Sequence, residues 1–323
     1  MKGKLLIPFF LTIIITSAFI SLSKTEAHIN IESSNITESS SVEETEVNNE
    51  RTEEERLNYI KELIEEKRYL KWRVSGLDLK KDIDAESFTV VNLTKDNYVL
   101  LKRDSNKKNP IASITKLLSS VIASEYLNRE EIITLTQPML RSHGYSPSLF
   151  PGAQVRVEDL MKASLIQSTN DASESLTYFM DSGMFVRLMN IKAHQIGMKR
   201  SSFFDAHGLS PENVSTPNEI VKLLEYIKKK HPEILDITRE KDFQLPNIYG
   251  MPLTFRNLNI LDNVPVNNFI GGKTGYLPEA KQTYTSLFKI NDDIFAVVIL
   301  RSENRRSDAE KIYKWLEKNP KLK

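Results

Sequence analysis

Strand-forming runs stand at both ends of the folded part of this chain, with helical periodicity between them. That order constrains the fold more than any other feature. Residues 88–93 (Phe-Thr-Val-Val-Asn-Leu) and 98–101 (Tyr-Val-Leu-Leu) are rich in β-branched and aromatic residues. Thr94-Lys95-Asp96-Asn97 between them carries turn formers, so the pair predicts a hairpin. Far along the chain, residues 283–290 and 294–300 predict two more strands around Asn291-Asp292-Asp293. Between these ends the spacing of apolar residues becomes helical. After Pro110 the stripe is Ile114, Leu117, Leu118, Val121 and Ile122, and residues 157–166, 171–180, 185–196 and 217–230 follow suit. Thr216-Pro217 marks a helix start, and residues 307–317 predict a last helix. Early and late strands therefore share one sheet, with a helical subdomain inserted between them. No internal repeat is visible.

The chain has 323 residues, 40% hydrophobic and 27% charged, enough for a sizeable core. Its formal net charge of +1 excludes the basic excess that a nucleic-acid binder needs. With no cysteine, disulfides, thiolate zinc sites and cysteine nucleophiles are excluded. At the N-terminus, Lys2 and Lys4 precede an apolar run over residues 5–22, the pattern of an export signal. The run is long enough to serve either as a signal peptide cleaved after Thr25-Glu26-Ala27 or as an uncleaved membrane anchor, and both readings stand. Residues 28–55 are rich in Glu, Ser, Thr and Asn and predict an acidic, disordered tether. The expected division is 1–27 signal or anchor, 28–55 linker and 56–323 folded domain. A short amphipathic helix over 57–67, with Leu57, Ile60, Leu63 and Ile64 on one face, opens that domain.

Three short motifs occur in order: Ser113-Ile114-Thr115-Lys116 (S-x-x-K), Ser168-Thr169-Asn170 (S-x-N) and Lys273-Thr274-Gly275 (K-T-G). Singly, S-x-x-K means little, since it recurs at Ser21/Lys24, Ser105/Lys108 and Ser286/Lys289. Those copies fall in the export segment, a polar loop and a predicted strand. Only Ser113 opens a predicted helix, where residues three apart share a face. A helix N-terminus also offers free N–H groups for an oxyanion. Lys116, one turn on, can reach the Ser113 hydroxyl, and acts as a base only if burial or nearby positive charge keeps it neutral. Lys273 could supply that charge. The glycines at 271, 272 and 275 around Lys273-Thr274 suit a strand that a substrate backbone approaches, with Lys273 and Thr274 meeting a carboxylate.

Other chemistries find no motif. The five histidines (His28, His143, His194, His207 and His231) form no local zinc pair, and no cofactor or metal is expected. His207 reads as structural. Neither a G-x-S-x-G elbow nor a phosphate loop is present.

With these residues in place, the chain resembles the serine D-alanyl-D-alanine carboxypeptidases, the low-molecular-mass penicillin-binding proteins. The likeness runs from about Glu86 to Trp315. Pro110 to Lys116 resembles the nucleophile segment, and Ser168-Thr169-Asn170-Asp171-Ala172 resembles S-G-N-D-A with Thr169 for glycine. Met189-Asn190, Ile196-Gly197-Met198, His207-Gly208-Leu209, Gly272 to Tyr276 and Glu279-Ala280 extend it.

The resemblance implies an α+β, β-lactamase/transpeptidase-like fold: a mainly antiparallel sheet flanked by helices, plus an all-helical subdomain. It implies Ser113 as nucleophile, Lys116 as its base, Ser168 as proton relay and Asn170 as substrate and Lys116 holder. Lys273 and Thr274, within Lys273-Thr274-Gly275-Tyr276, would bind the substrate carboxylate. The N–H groups of Ser113 and Tyr276 would form the oxyanion hole. Arg305 aligns with an arginine common in the family, although Arg301 and Arg306 lie beside it. Implied partners are peptidoglycan stem peptides and β-lactam antibiotics as covalent inhibitors, on the outer side of the membrane. Two departures stand out. Thr169 adds bulk that bears on substrate width, and Lys281-Gln282-Thr283 replaces a glycine-rich continuation. A class A β-lactamase shares the three motifs but needs E-x-x-L-N between Ser168 and Lys273, which is absent, since Glu212 runs directly into Asn213. Endopeptidase action on cross-links and a non-catalytic peptidoglycan-binding scaffold are the remaining alternatives.

Overall fold

The computed structural model describes residues 52–142, 149–245 and 252–319, and the chain divides into two units after Lys67. The expected signal or anchor at 1–27 lies outside the described residues, as does the linker up to residue 51. No described helix is long and apolar enough to cross a membrane.

Helix α1 (Glu53–Asp82) is longer than expected and starts inside the segment read as linker. A reciprocal cap explains the start: the Glu55 amide donates to Thr52 Oγ1 at 3.3 Å, and the Thr52 amide donates to Glu55 Oε2 at 2.8 Å. Glu53 to Glu55 in the first turn and Lys80 and Lys81 in the last also complement the helix dipole. Leu57, Ile60 and Ile64, whose spacing predicts the helix, are exposed on it. The extension beyond residue 67 comes from tertiary contacts within the second unit. Trp315 donates its indole N–H to Ser75 Oγ at 3.1 Å, and a Cβ on Gly76 would sit 3.0 Å from Leu101 and 3.2 Å from Trp315. Arg103 donates to the carbonyls of Ile83 and Ala85, at 2.8 and 2.7 Å.

The hairpin follows as β1 (Ser87–Asn92) and β2 (Tyr98–Arg103), with Asp96 and Asn97 at φ of 45° and 58°. Left-handed central residues give the turn the twist of the strands it joins. Next come β3 (Asn109–Pro110), a 3-10 turn (Ala112–Ile114), α2 (Thr115–Tyr126), β4 (Ile132–Thr134) and β5 (Gln154–Arg156). Helices α3 (Val157–Ile166), α4 (Asn170–Thr177) and α5 (Ser182–Gln195) precede β6 (Val214–Ser215), α6 (Pro217–Lys230) and α7 (Pro232–Arg239). Thr216 caps α6 through the Glu219 amide, with Pro217 in the first turn, as the sequence predicts. The inserted segment is not purely helical. It contains the ribbons β3–β6, β4–β5 and β7 (Asp242–Leu245) with β8 (Leu253–Arg256).

The chain closes with β9 (Phe269–Leu277), β10 (Lys281–Ile290), β11 (Asp293–Ser302) and α8 (Arg305–Lys318). The main sheet runs β2-β1-β11-β10-β9, antiparallel at each junction. Early and late strands thus pair directly, Val90 opposite Val297. Strand β11 is apolar on both faces because both are covered. Ala296, Val298 and Leu300 face the core shared with the inserted helices, while Val297 and Ile299 face Ile312, Tyr313 and Leu316 of α8. The sheet lies between two helical layers and β9 is its last strand.

Candidate active site

Ser113 lies in the 3-10 turn that feeds α2, where three residues per turn align it with Lys116. Lys116 is fully buried. Its Nζ lies 3.0 Å from Ser113 Oγ and 2.8 Å from Asn170 Oδ1, and also donates to the His207 carbonyl. The last two partners can only accept. A neutral lysine amine must therefore aim its two N–H bonds at them, which leaves its lone pair for the Ser113 hydroxyl proton. Burial lowers the Lys116 pKa to about 7, against an opposing pull from Asp205. Of the two causes the sequence offers, burial or a nearby positive charge, burial is the one at work. Desolvation dominates at Lys116, and the repulsion between the two lysines helps lower Lys273.

A base of this kind has a signature. Penicillin acylation should rise as pH climbs through about 7, because the ammonium form has no lone pair to take the serine proton. A rate that stays flat over roughly pH 6 to 8 would remove Lys116 from that role.

Two non-glycine residues here have left-handed backbones: Ala112 (φ 50°) and Ser168 (φ 63°). Such conformations cost about 1–3 kcal/mol and persist only where surroundings hold them. Ala112 is pressed by Gly208, where a Cβ would come within 2.1 Å of the Ala112 oxygen. The loop bearing Gly208 is tied by Asp205, whose carboxylate accepts from the His207 amide at 3.1 Å, Ser210 N at 2.6 Å and Asn213 Nδ2 at 2.7 Å. His207 serves through its backbone. Its ring Nδ1 accepts from the Leu209 amide at 3.2 Å, and burial pushes its pKa down to about 4. The ring is neutral at physiological pH, in keeping with the structural reading.

Ser168 follows α3 and Asn170 opens α4, which delivers its side chain to Lys116. Thr169 between them is buried. Its extra bulk packs into the protein.

Strand β9 supplies the opposite wall. Lys273 is fully buried, and its Nζ donates to Thr274 O at 3.0 Å and Asn259 Oδ1 at 3.4 Å. Burial holds its pKa well below the lysine range, with Lys116 and Arg305 adding repulsion. The Thr274 amide and hydroxyl also donate to Asn259 Oδ1, at 3.0 and 3.1 Å. Asn259 thus fixes both carboxylate-binding candidates, and it escaped sequence reasoning. A neutral side chain in Asn257-Leu258-Asn259 carries no catalytic pattern, and only folding sets it beside β9.

Among three neighbouring arginines, Arg305 is the one that reaches β9, donating to Gly275 O at 2.7 Å. Arg301 bonds Glu86 at 3.0 Å, and Arg306 pairs with Asp262. Among the described residues, neither Lys273 nor Arg305 has a carboxylate partner. Arg305 is therefore a cation that an anion can answer, and a carboxylate brought beside Lys273 would favour its ammonium form. Gly275 touches the nucleophile, since a Cβ there would lie 2.8 Å from Ser113 N. Tyr276, next in the strand, is exposed. Lys281 adopts φ 51° where the resemblance leads one to expect glycine, and is held by Glu303 at 2.6 Å and Glu86 at 3.2 Å. Among the described residues, no group of three or more acids or histidines could hold a metal ion.

This geometry agrees with comparisons to known proteins. A family profile described as D-alanyl-D-alanine carboxypeptidase matches residues 75–304. A D-alanyl-D-alanine endopeptidase of Pseudomonas aeruginosa is 31% identical over 254 residues, covering 75% of this chain and 80% of the relative. One from Haemophilus influenzae is 32% identical, covering 61% and 68%. The D-alanyl-D-alanine carboxypeptidase DacF of Bacillus subtilis is 31% identical, covering 70% and 60%. Among solved structures, a D-alanyl-D-alanine carboxypeptidase from Mycobacterium tuberculosis superposes with a TM-score of 0.66 at 22% identity, covering 72% of this chain and 90% of that one. Penicillin-binding protein D2 from Listeria monocytogenes, in its cefotaxime-bound form, gives 0.61 at 23% identity, covering 74% and 98%. At these identities the structures establish the shared fold.

Proposed function

Because the chain belongs to the D-alanyl-D-alanine carboxypeptidase family, we propose that it removes the terminal D-alanine of peptidoglycan stem pentapeptides through an acyl-enzyme on Ser113. The observation that carries this reading is the placement of the fully buried Lys116 Nζ 3.0 Å from Ser113 Oγ. Ser113 attacks the carbonyl of the penultimate D-alanine while Lys116 takes its proton. Amides of Ser113 and Tyr276 receive the oxyanion, and the closeness of Gly275 to Ser113 N supports that pairing. Ser168 passes a proton to the departing D-alanine amine. Asn170 holds both Lys116 and the substrate amide. Lys273 and Thr274, with Arg305 behind the strand, receive the terminal carboxylate. To donate there, the Thr274 hydroxyl turns away from Asn259. Water then releases the shortened peptide.

β-Lactams acylate the same serine in this reading, which the fold shared with a cefotaxime-bound penicillin-binding protein supports. The substrate places the domain outside the cytoplasmic membrane, with residues 1–27 as its export signal or anchor. A second reading, cleavage of D-alanyl cross-links, is favoured by the two endopeptidase relatives and uses the same acyl-enzyme.

The test is D-alanine release from a pentapeptide ending in D-Ala-D-Ala, alongside hydrolysis of a cross-linked muropeptide dimer. Release from the pentapeptide supports the carboxypeptidase, and cleavage of the dimer alone moves the assignment to the endopeptidase. Lys273→Ala should lower kcat/KM for peptides with a free C-terminal carboxylate by about 10- to 100-fold, the worth of one charged hydrogen bond. Amidated peptides should lose far less. Equal losses on both would take the carboxylate role away from Lys273.

A further inference from the structure

The strained backbone before the nucleophile must be held from two sides. One side is the loop after Asp205: Ile111 N donates to Asn213 O at 3.0 Å, and Asn213 Nδ2 donates to Thr115 Oγ1 at 3.2 Å. The other side is the sheet. Thr283, fully buried in β10, donates its hydroxyl to the Ile111 carbonyl at 3.1 Å. Thr283 lies opposite Gly275 in the β9–β10 pairing. A Cβ placed on Gly275 would come within 2.5 Å of Thr283 Oγ1 and 2.8 Å of Ser113 N. The Thr283 hydroxyl, the strand carrying Lys273-Thr274 and the amide of Ser113 therefore meet around one glycine.

We propose that Thr283 is a positioning residue for acylation, clamping the Ile111 carbonyl so that left-handed Ala112 presents the Ser113 amide and hydroxyl to the substrate. The proposal deepens the serine-hydrolase reading and rests on it. Without the clamp the Ile111 carbonyl keeps the Ile114 amide, at 3.3 Å. Ala112 at φ 50° then has less to oppose its relaxation toward negative φ, a rotation that swings the Ser113 amide away from β9. An oxyanion donor is effective only when it is already aimed, so the cost falls on the transition state and leaves substrate affinity alone.

The test compares Thr283→Val and Thr283→Ser with wild type in the full-length protein. Valine keeps the β-branched shape and loses the donor; serine keeps the donor and loses a methyl. Thr283→Val should slow the limiting rate of penicillin acylation by about 10- to 100-fold, with the half-saturating penicillin concentration little changed, and Thr283→Ser should recover most of that rate. Wild-type rates in the valine variant would overturn the proposal. So would a serine variant as slow as the valine one, because that pattern marks packing by the methyl group. If valine prevents folding, Thr283→Ser against Thr283→Ala makes the same comparison, with serine alone retaining the rate. Wild type is measured first: a wild type that penicillin does not acylate rejects the underlying enzyme reading, whereas normal wild-type acylation with unaffected variants rejects the clamp only.

Discussion

Replacing Ser113 by alanine is expected to abolish both penicillin labelling and D-alanine release, a loss of about ten thousand-fold or more. The size follows from covalent chemistry. Without the hydroxyl no acyl-enzyme forms, and the binding groups on β9 can still hold a substrate but not cleave it. The substitution removes one oxygen from a partly exposed position and leaves Asn170 Oδ1 and the His207 carbonyl as partners of Lys116. Thermal unfolding should therefore change little, which separates lost chemistry from lost structure. A penicillin adduct persisting on the alanine protein, located by mass spectrometry on another residue, would sink the assignment of the nucleophile.

The second large effect falls on a residue that takes no part in the chemistry. Gly208→Ala should destabilise the protein by about 3 kcal/mol or more and depress acylation in whatever fraction still folds. Gly208 has φ 84°, and a methyl there would lie 2.1 Å from the Ala112 oxygen, 2.5 Å from its carbonyl carbon and 2.9 Å from Ser113 N. All three atoms are backbone, so no rotamer relieves the overlap; the loop or the nucleophile turn must move. Gly152→Ala is the matched control. Its φ of 88° imposes similar conformational strain, but nothing lies within 4 Å of the added methyl. Strain alone costs about 1–2 kcal/mol, so that variant should keep its activity and lose only that much stability in a denaturant titration. Equal effects from both substitutions would show that backbone strain, and not the contact with Ala112, governs position 208.

Much of the candidate site was legible because its parts are local. Ser113 and Lys116 are one turn apart, Ser168 and Asn170 bracket a helix start, and Lys273 to Tyr276 lie along one strand. Spacing within a single element carries that information. The same ground separates the S-x-x-K copies among the described residues, where Ser113 alone introduces a helix. Residues whose role depends on other elements were not readable. Asn259 becomes a partner of Lys273 and Thr274 only when the segment before β9 folds beside it. Thr283 was visible as a departure from a glycine-rich pattern, yet its bond to Ile111 joins positions far apart in the chain.

The broad order of strands, then helices, then strands, the sharing of one sheet by early and late strands, and the identity of the three motifs were determined by the sequence alone. Hydrophobic periodicity and turn residues act over a few neighbours, and those features are encoded at that range. Tertiary structure decided the rest. Thr52 and Glu55 begin a thirty-residue helix, and contacts around Gly76 and Ser75 carry it past the expected end. Of three adjacent arginines, Arg305 is the one that reaches β9, because α8 lies along the sheet with that side chain toward Gly275. Burial lowers the Lys116 pKa to about 7, and that burial exists only once α4 and the His207 loop fold against α2. Solvent exclusion and close backbone approach belong to elements brought together from distant parts of the chain, so no local pattern records them.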